Sequence, residues 1–574
     1  MKIGKYFGKY KWDIILGTLI KVVETAGDLV VPLIMANIID IGIANRNVSY
    51  IVGWSIGMVL IQVIGFCAGV LCQWLAAKAG QNVGRSIRHD LYAHINTLSH
   101  KELDKFGTST LINRFSNDIS RINNGVEVFI RLAARSPILL VGCTIMMFTI
   151  SAKLALIFLA IMPIIIAIVA FIMIKSNKMF DKVQKDLDIV SLQSKENLEG
   201  AKVVRAFNKE DNEKSRFYKS ADKLYRSQNS VTSFTALLNP LTNSVVNIGI
   251  ILILWFGAVQ VNIGGLTQGK VIAIIGYLTQ IGVSLVAIAR MITVFTRAFT
   301  SSSRINEIFS AKSSVVEKVK NYQPIHITEG TPKIEFRNVS FRYGSETKSK
   351  NAIENLNLKV MKGQTVGIIG GTGSGKSTIV NLIPRYYDAT EGEIFVDGKN
   401  IKEYSFEQLR NQIGMVPQRA VLFRGTIDQN MRWRNANASA SEIQKALQLS
   451  QSWEFVNEFP DKTGHMIATG GANVSGGQRQ RLTIARALVG DPEILILDDS
   501  ASALDFATDA KLRKAIKYGI KNATIFIVTQ RVTSIKDADI IVCIDKGQVV
   551  GMGKHNDLLE NCEVYREIYE SQTK

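Results

Sequence analysis

The sequence predicts a two-part fold: an all-α transmembrane domain of six helices, followed by an α/β domain built around a phosphate-binding loop. Three observations predict it. Six apolar stretches before residue 300 are long enough to cross a bilayer. The run GGTGSGKST, Gly370 to Thr378, sits between a buried-strand pattern, TVGIIG, and a helical pattern, TIVNLIPRYY. A second apolar run, EILILDDS, ends in two adjacent acids, Asp498 and Asp499.

The chain has 574 residues, of which 47% are hydrophobic, and a formal net charge of +19. That apolar share directs attention to membrane spans. They fall at roughly 14–40, 51–79, 127–150, 154–174, 236–261 and 271–295. The fourth, LALIFLAIMPIIIAIVAFIMI, is the clearest; Lys21, Glu24 and Asp28 interrupt the first. An even number of spans puts both termini on one side. The start, MKIGKYFGKYKWDIIL, is basic and runs into the first span without a cleavage pattern, so it reads as an interfacial stretch.

Charge in the connections gives the orientation. Arg85, Arg88, Lys101, Lys105, Arg114 and Arg121 lie between spans two and three, and a richer basic stretch, Lys175 to Arg226, lies between spans four and five. The other connections carry only Arg46, Lys153 and Lys270. The positive-inside rule places the long connections, both termini and the second domain in the cytoplasm, as part of a multi-pass protein of the cytoplasmic (inner) membrane. The basic excess is thereby a matter of topology, and nucleic acid is not an expected partner. Five scattered cysteines, without CxxC spacing, point to neither zinc nor disulfides.

Both long connections carry apolar residues at helical spacing, so helices are expected to continue beyond the membrane. A bend is expected near Gly200 to Asn208, and a short turn within ELDKFGTSTLINRFSND. Glu24 and Asp28, four apart, share a helix face. At membrane depth they are either a contact for a polar or cationic substrate or members of an internal ion pair with Lys21, Arg131, Arg135 or Arg290.

Composition changes near residue 310. The expected division is a transmembrane domain at 1–310, with cytoplasmic coupling loops near 101–115 and 200–213, a linker at 311–332 containing Pro324 and Pro332, and a nucleotide-binding domain at 333–574. The segment IEFRNVSFRY alternates like a strand. In GGTGSGKST, Gly370, Gly375, Lys376 and Ser377 stand in the places a P-loop requires. Such a loop lets the amides of Gly371, Thr372, Gly373, Ser374 and Thr378 approach phosphate oxygens at a helix N-terminus. Lys376 would reach the β- and γ-phosphates, and the Ser377 hydroxyl would ligate Mg²⁺. Asp498 would hold the same Mg²⁺ from the strand end.

With VSGGQRQRLTIARAL between these two elements, the sequence resembles the ATP-binding cassette (ABC) family, and its architecture is similar to a type IV exporter half-transporter. The fold this implies is a six-helix transmembrane domain followed by an α/β P-loop ATP-binding cassette domain. The stretches Phe106–Arg114 and Val204–Asn208 match the family's coupling helices. Tyr343 matches the aromatic that stacks on adenine, and Gln418 the Q-loop glutamine that contacts Mg²⁺. Ser475, Gly476, Gly477 and Gln478 match the signature that acts in trans, and Asp505 the D-loop aspartate facing a partner domain. One P-loop and one signature per chain imply a dimer.

Two departures from the family pattern decide what is expected of catalysis. Asp499 stands where the family has the glutamate that serves as general base, and its stem is about 1.5 Å shorter. Gln530 stands where the family has a histidine; it can donate a hydrogen bond but does not titrate. The chain thus resembles the degenerate-site half of bacterial heterodimeric multidrug exporters. The resemblance implies a partner half-transporter with a Walker B glutamate and a switch histidine. Hydrophobic or amphipathic compounds, drugs foremost, are the expected cargo, with lipids, lipopeptides or peptides as alternatives and an ATP-gated channel or regulatory subunit as a more distant one.

Overall fold

The computed structural model describes residues 4–319, 328–344, 350–502, 504–520 and 522–573. Part of the expected linker, 320–327 with Pro324, lies outside them. The chain forms two compact units, residues 1–96 with 108–311, and residues 97–107 with 312–574.

The first unit is helical. Among the described residues, six helices are long and apolar enough to span a membrane: α1 Lys11–Ile43, α2 Val48–Ile95, α4 Thr108–Ile150, α5 Ala152–Glu199, α7 Glu210–Asn262 and α8 Gln268–Ser310. Short α3, His100–Phe106, interrupts one long connection and belongs to the second unit; short α6, Ala201–Ala206, interrupts the other. The boundaries follow local chemistry. The Asn47 side chain accepts from the Tyr50 amide at 3.0 Å and starts α2. Ser151 does the same for α5 through Leu154. Gly107, at φ +73°, separates α3 from α4, a left-handed conformation that glycine adopts without a Cβ clash.

The resemblance put the first coupling segment at Phe106–Arg114. That stretch takes in the end of the short helix His100–Phe106, the break at Gly107 and, from Thr108 onward, the start of the long helix α4. The glycine break, rather than the polar run after it, sets this boundary. In the second connection, α6 lies inside the Gly200–Asn208 bend.

The core of this unit is apolar, with Cys143, Phe158, Ile253, Ile274 and Tyr277 fully buried. Tyr277 satisfies its hydroxyl by donating to the Leu29 carbonyl at 2.7 Å. Glu24 and Asp28 are ion-paired. Lys21 donates to both oxygens of Glu24 at 2.8 and 2.7 Å, and Arg135 reaches Asp28 at 3.1 Å. Of the partners the sequence offered, Lys21 and Arg135 are the ones used.

Among the described residues the second unit holds two larger sheets and a two-stranded one that pairs Gly425–Thr426 with Met466–Ile467. A four-stranded antiparallel sheet has the order β2 (Ile353–Val360), β1 (Ile334–Phe341), β4 (Glu391–Val396), β5 (Lys399–Asn400). The six-stranded sheet runs β10 (Gln548–Gly553), β9 (Ile540–Asp545), β3 (Thr365–Gly370), β8 (Thr524–Val528), β7 (Ile494–Asp498), β6 (Ile413–Val416). All but β10 are parallel to their neighbours. Every residue of β7 is buried, as a central parallel strand covered on both faces requires. Because β3, β8 and β7 are adjacent and parallel, their C-terminal ends open onto one edge, where parallel sheets place ligands.

Candidate nucleotide site

That edge brings the P-loop and the acidic strand end together. The loop after β3 turns into α9, Lys376–Leu382. A Cβ on Gly375, at φ +105°, would come 2.4 Å from the Ala352 carbonyl oxygen, and one on Gly370 would come 2.1 Å from that of Ile544. Only glycine fits at either position. Around Gly371 and Gly373, by contrast, the Cβ direction is open. The loop is thus packed closely on its protein side and accessible on the other, the form of a cradle for phosphate.

The polar groups converge. Ser377 Oγ donates to Asp498 Oδ1 at 2.8 Å, joining the start of α9 to the end of β7. Lys376 Nζ donates to the carbonyls of Gly370 and Gly371 at 2.9 and 2.6 Å, so its ammonium arches back over the loop. Ser374 Oγ is buried without a protein partner among the described residues. Asp498 is almost fully buried, and desolvation pushes its carboxyl above the ordinary carboxylate range, opposed by the Ser377 hydrogen bond. Burial likewise pulls Lys376 down, with Asp499 and Asp498 acting against it.

Asp499 takes a left-handed backbone conformation, φ +47°, and its amide donates to the Val528 carbonyl at 2.9 Å. Aspartate is among the side chains that tolerate this region best. Burial pushes its carboxyl above the ordinary carboxylate range, opposed by a hydrogen bond from Gln418 and attraction from Lys376 and Arg531. Gln418 and Asp499, on separate elements, therefore meet. Tyr343 lies at the rim, its hydroxyl 3.0 Å from Thr378 Oγ1 and its ring edge-on to Tyr387 at 5.3 Å. Tyr387 in turn donates to Asp104 on α3 at 2.7 Å.

The donor set suits Mg²⁺. Ser377, Gln418 and Asp498 supply hard oxygens, and among the described residues no group of three His, Cys, Asp or Glu side chains could hold a metal alone. A cation bound here would complete its shell with phosphate oxygens and water, as Mg²⁺ ordinarily does.

The signature residues begin α10, Gly476–Leu488, rather than joining the P-loop cluster. Ser475 Oγ accepts from the Gln478 amide at 3.2 Å, and Gln478 Oε1 accepts from the Ser475 amide at 3.0 Å. This reciprocal capping box explains why serine and glutamine stand three apart. Asp505 caps α11, Phe506–Gly519, by accepting from the Thr508 amide at 3.0 Å; those bonds hold its carboxyl low. Gln530 is exposed, on the loop after β8 between buried Thr529 and Val532.

Three residues here escaped the sequence. Gln572, on α12 (Glu563–Thr573), donates to the Gln530 carbonyl at 2.6 Å and accepts from the Val532 amide at 2.9 Å. Buried Asp509 takes the Ser534 hydroxyl at 3.2 Å, and Arg513 donates to the Thr533 and Ser534 carbonyls at 3.2 Å each. They tie α11 and α12 to the loop bearing Gln530. In the sequence all three read as ordinary surface polar residues of amphipathic helices, with no motif to mark them.

A multi-pass helical unit joined to a parallel-sheet unit with a P-loop, an acidic strand end and a capped SGGQ helix defines a membrane transporter driven by a nucleotide. Comparison with known proteins gives the family. Residues 14–285 match the family of the ABC transporter transmembrane region, and residues 353–502 match the ABC transporter family. The chain is 35% identical to YfiB of Bacillus subtilis, described as an uncharacterised ABC transporter ATP-binding protein, over 97% of this chain and 96% of that one. It is 32% identical to the ATP-dependent lipid A-core flippase of Desulfotalea psychrophila, over 89% of each. Its fold matches a bacterial Atm1-family ABC exporter solved with ATP bound, at a TM-score of 0.80, 23% identity and 98% coverage of both chains. The chain belongs to the ABC transporters and has the exporter fold.

Proposed function

We propose that this chain is one half of a heterodimeric exporter whose own P-loop holds ATP and hydrolyses it slowly. In this reading the SGGQ segment at Ser475–Gln478 completes the active site on the partner's P-loop, where most turnover occurs. The carrying observation is the pair of substitutions at one hydrolytic step, Asp499 for the family's glutamate and Gln530 for its histidine. A carboxylate one carbon short, in a left-handed turn and held by Gln418, is poorly placed to take a proton from water. Glutamine at 530 can touch a phosphate but cannot take up or release a proton.

The remaining residues keep roles in binding. Lys376 and the P-loop amides neutralise the phosphates, and Ser377, Asp498 and Gln418 would hold Mg²⁺. When bound, that ion would draw charge off the phosphate oxygens. Tyr343 offers its ring to adenine, and Asp505 faces the partner. Two hydrolytically poor sites in a homodimer would leave little turnover, so the partner supplies the glutamate and histidine. The cargo is a hydrophobic or amphipathic compound, drugs foremost, moved outward across the cytoplasmic membrane, with both termini and the nucleotide domain inside. A lipid-like amphipath is the second reading, favoured by the 32% identity to a lipid A-core flippase.

The test is co-expression with the partner half. Replacing the partner's Walker B glutamate by glutamine should abolish most ATP turnover, whereas Asp499→Asn should leave it within a few-fold of normal. A loss above about 10²-fold from Asp499→Asn alone would make Asp499 the working base and overturn the assignment.

A further inference from the structure

Beyond the apolar stretch of α5, the helix continues beside α7 and the two enclose a groove of about 630 Å³. Its walls carry Lys175, Lys178 and Lys182 from α5, and Lys219, Lys223 and Arg226 from α7. The only carboxylate lining it among the described residues is Asp222. Among the described residues, two of these six cations are matched at ion-pairing distance, Lys223 to Asp186 at 2.9 Å and Arg226 to Asp222 at 2.8 Å. Lys182 adds a longer-range attraction to Asp186. Lys175, Lys178 and Lys219 have no carboxylate partner at that distance, so the groove concentrates positive charge that the fold itself does not neutralise.

The groove is also graded in polarity. Lys175 Nζ sits 4.8 Å from the ring centroid of Phe234 and 5.7 Å from that of Phe171, so a cation tops an aromatic pair that links the two helices. Next to it in sequence, Phe171 and Ile174 are exposed, at the end of the stretch that spans the membrane. Cations below and exposed apolar side chains above match a molecule with an anionic head and an apolar tail. A free phosphate would use only the lower half.

We propose that the α5–α7 groove binds the phosphate headgroup of an anionic phospholipid from the adjoining leaflet, with the acyl chains lying against the apolar end of α5. Each lysine lost from such a surface site weakens binding about five-fold.

The purified full-length chain, in the assembly it forms, is titrated with phosphatidylglycerol and separately with phosphatidylcholine, and bound lipids are counted by native mass spectrometry. Phosphatidylglycerol should bind at least about ten-fold more tightly. Lys178→Gln, Lys182→Gln and Lys219→Gln together should weaken it about 100-fold. The corresponding three arginine substitutions should retain binding, as should a control with Lys359, Lys517 and Lys546 changed to glutamine. If the triple glutamine variant does not fold, Lys178→Gln alone should still show about a five-fold loss. Equal binding of the two lipids, wild-type affinity in the glutamine variants, or full displacement of the lipid by excess inorganic phosphate would each overturn the proposal.

Discussion

Gln572 grips the main chain on both sides of Arg531: its amide nitrogen donates to the Gln530 carbonyl at 2.6 Å, and its amide oxygen accepts from Val532 at 2.9 Å. One side chain from α12 thus fixes the loop that carries Gln530. Each such bond is worth about 1 kcal/mol. Gln572→Ala should lower the slow single-turnover hydrolysis at this chain's own P-loop about two- to ten-fold while leaving affinity for a fluorescent ATP analogue unchanged. Gln572→Glu, which sets a carboxylate against the carbonyl, should cost more. Unchanged single-turnover rates at this site in both variants would remove the clamp from the catalytic account.

Restoring the two departures is the complementary experiment. Asp499→Glu with Gln530→His should raise the ATPase rate of the chain purified without its partner by about 10²-fold, the size of effect that a misplacement near 1 Å produces. Single-turnover measurement is the proper readout, because it isolates the chemical step. A double variant as slow as the original would show that geometry beyond these side chains limits hydrolysis.

Lys376→Ala removes the ammonium at the P-loop. Photo-crosslinking of an azido-ATP to this chain should fall at least about ten-fold, given that charge-assisted bonds contribute about 1.5–3 kcal/mol each. Labelling of the partner half should persist, which separates loss of one site from general unfolding.

Ser475→Ala breaks the capping box of α10. The helix should lose about 1 kcal/mol, and the melting temperature a few degrees, as measured by differential scanning fluorimetry. ATP turnover should fall far more than that loss explains if the signature contacts nucleotide in trans. Ser475→Asn, which keeps a cap, should recover the melting temperature but not the turnover.

Arg135→Ala leaves Asp28 without its 3.1 Å partner while Lys21 still holds Glu24. The arginine is partly exposed, so a destabilisation of about 1–2 kcal/mol is expected, below the figure for a fully buried pair. Arg135→Lys should retain most of the stability in a thermal melt. Equal loss in both variants would mean that packing, not charge, is what Arg135 contributes.

The sequence exposed those features in which one residue type serves one local rule. The P-loop glycines, the acids after a buried strand and the S-x-x-Q cap all follow from contacts within a few residues, and the spans follow from length and apolarity. The short turn expected within ELDKFGTSTLINRFSND falls at Gly107, whose positive φ makes it the break, but a polar run alone does not say which residue of it turns. Asp28 remained ambiguous because its partner Arg135 lies 107 positions away in a different helix. Gln572, Asp509 and Arg513 were invisible for the same reason: each reads as an ordinary helix-surface residue, and only the folded chain brings it to the loop after β8.

Tyr387 touches Tyr343 with its ring and Asp104 with its hydroxyl. Tyr387→Trp would therefore set a fluorophore beside the aromatic expected to stack on the base, without adding an external label. Its emission would report nucleotide arrival through the ring contact and the environment of α3 through the polar end. With the six native tryptophans changed to phenylalanine, this one probe would time the two events in one stopped-flow trace.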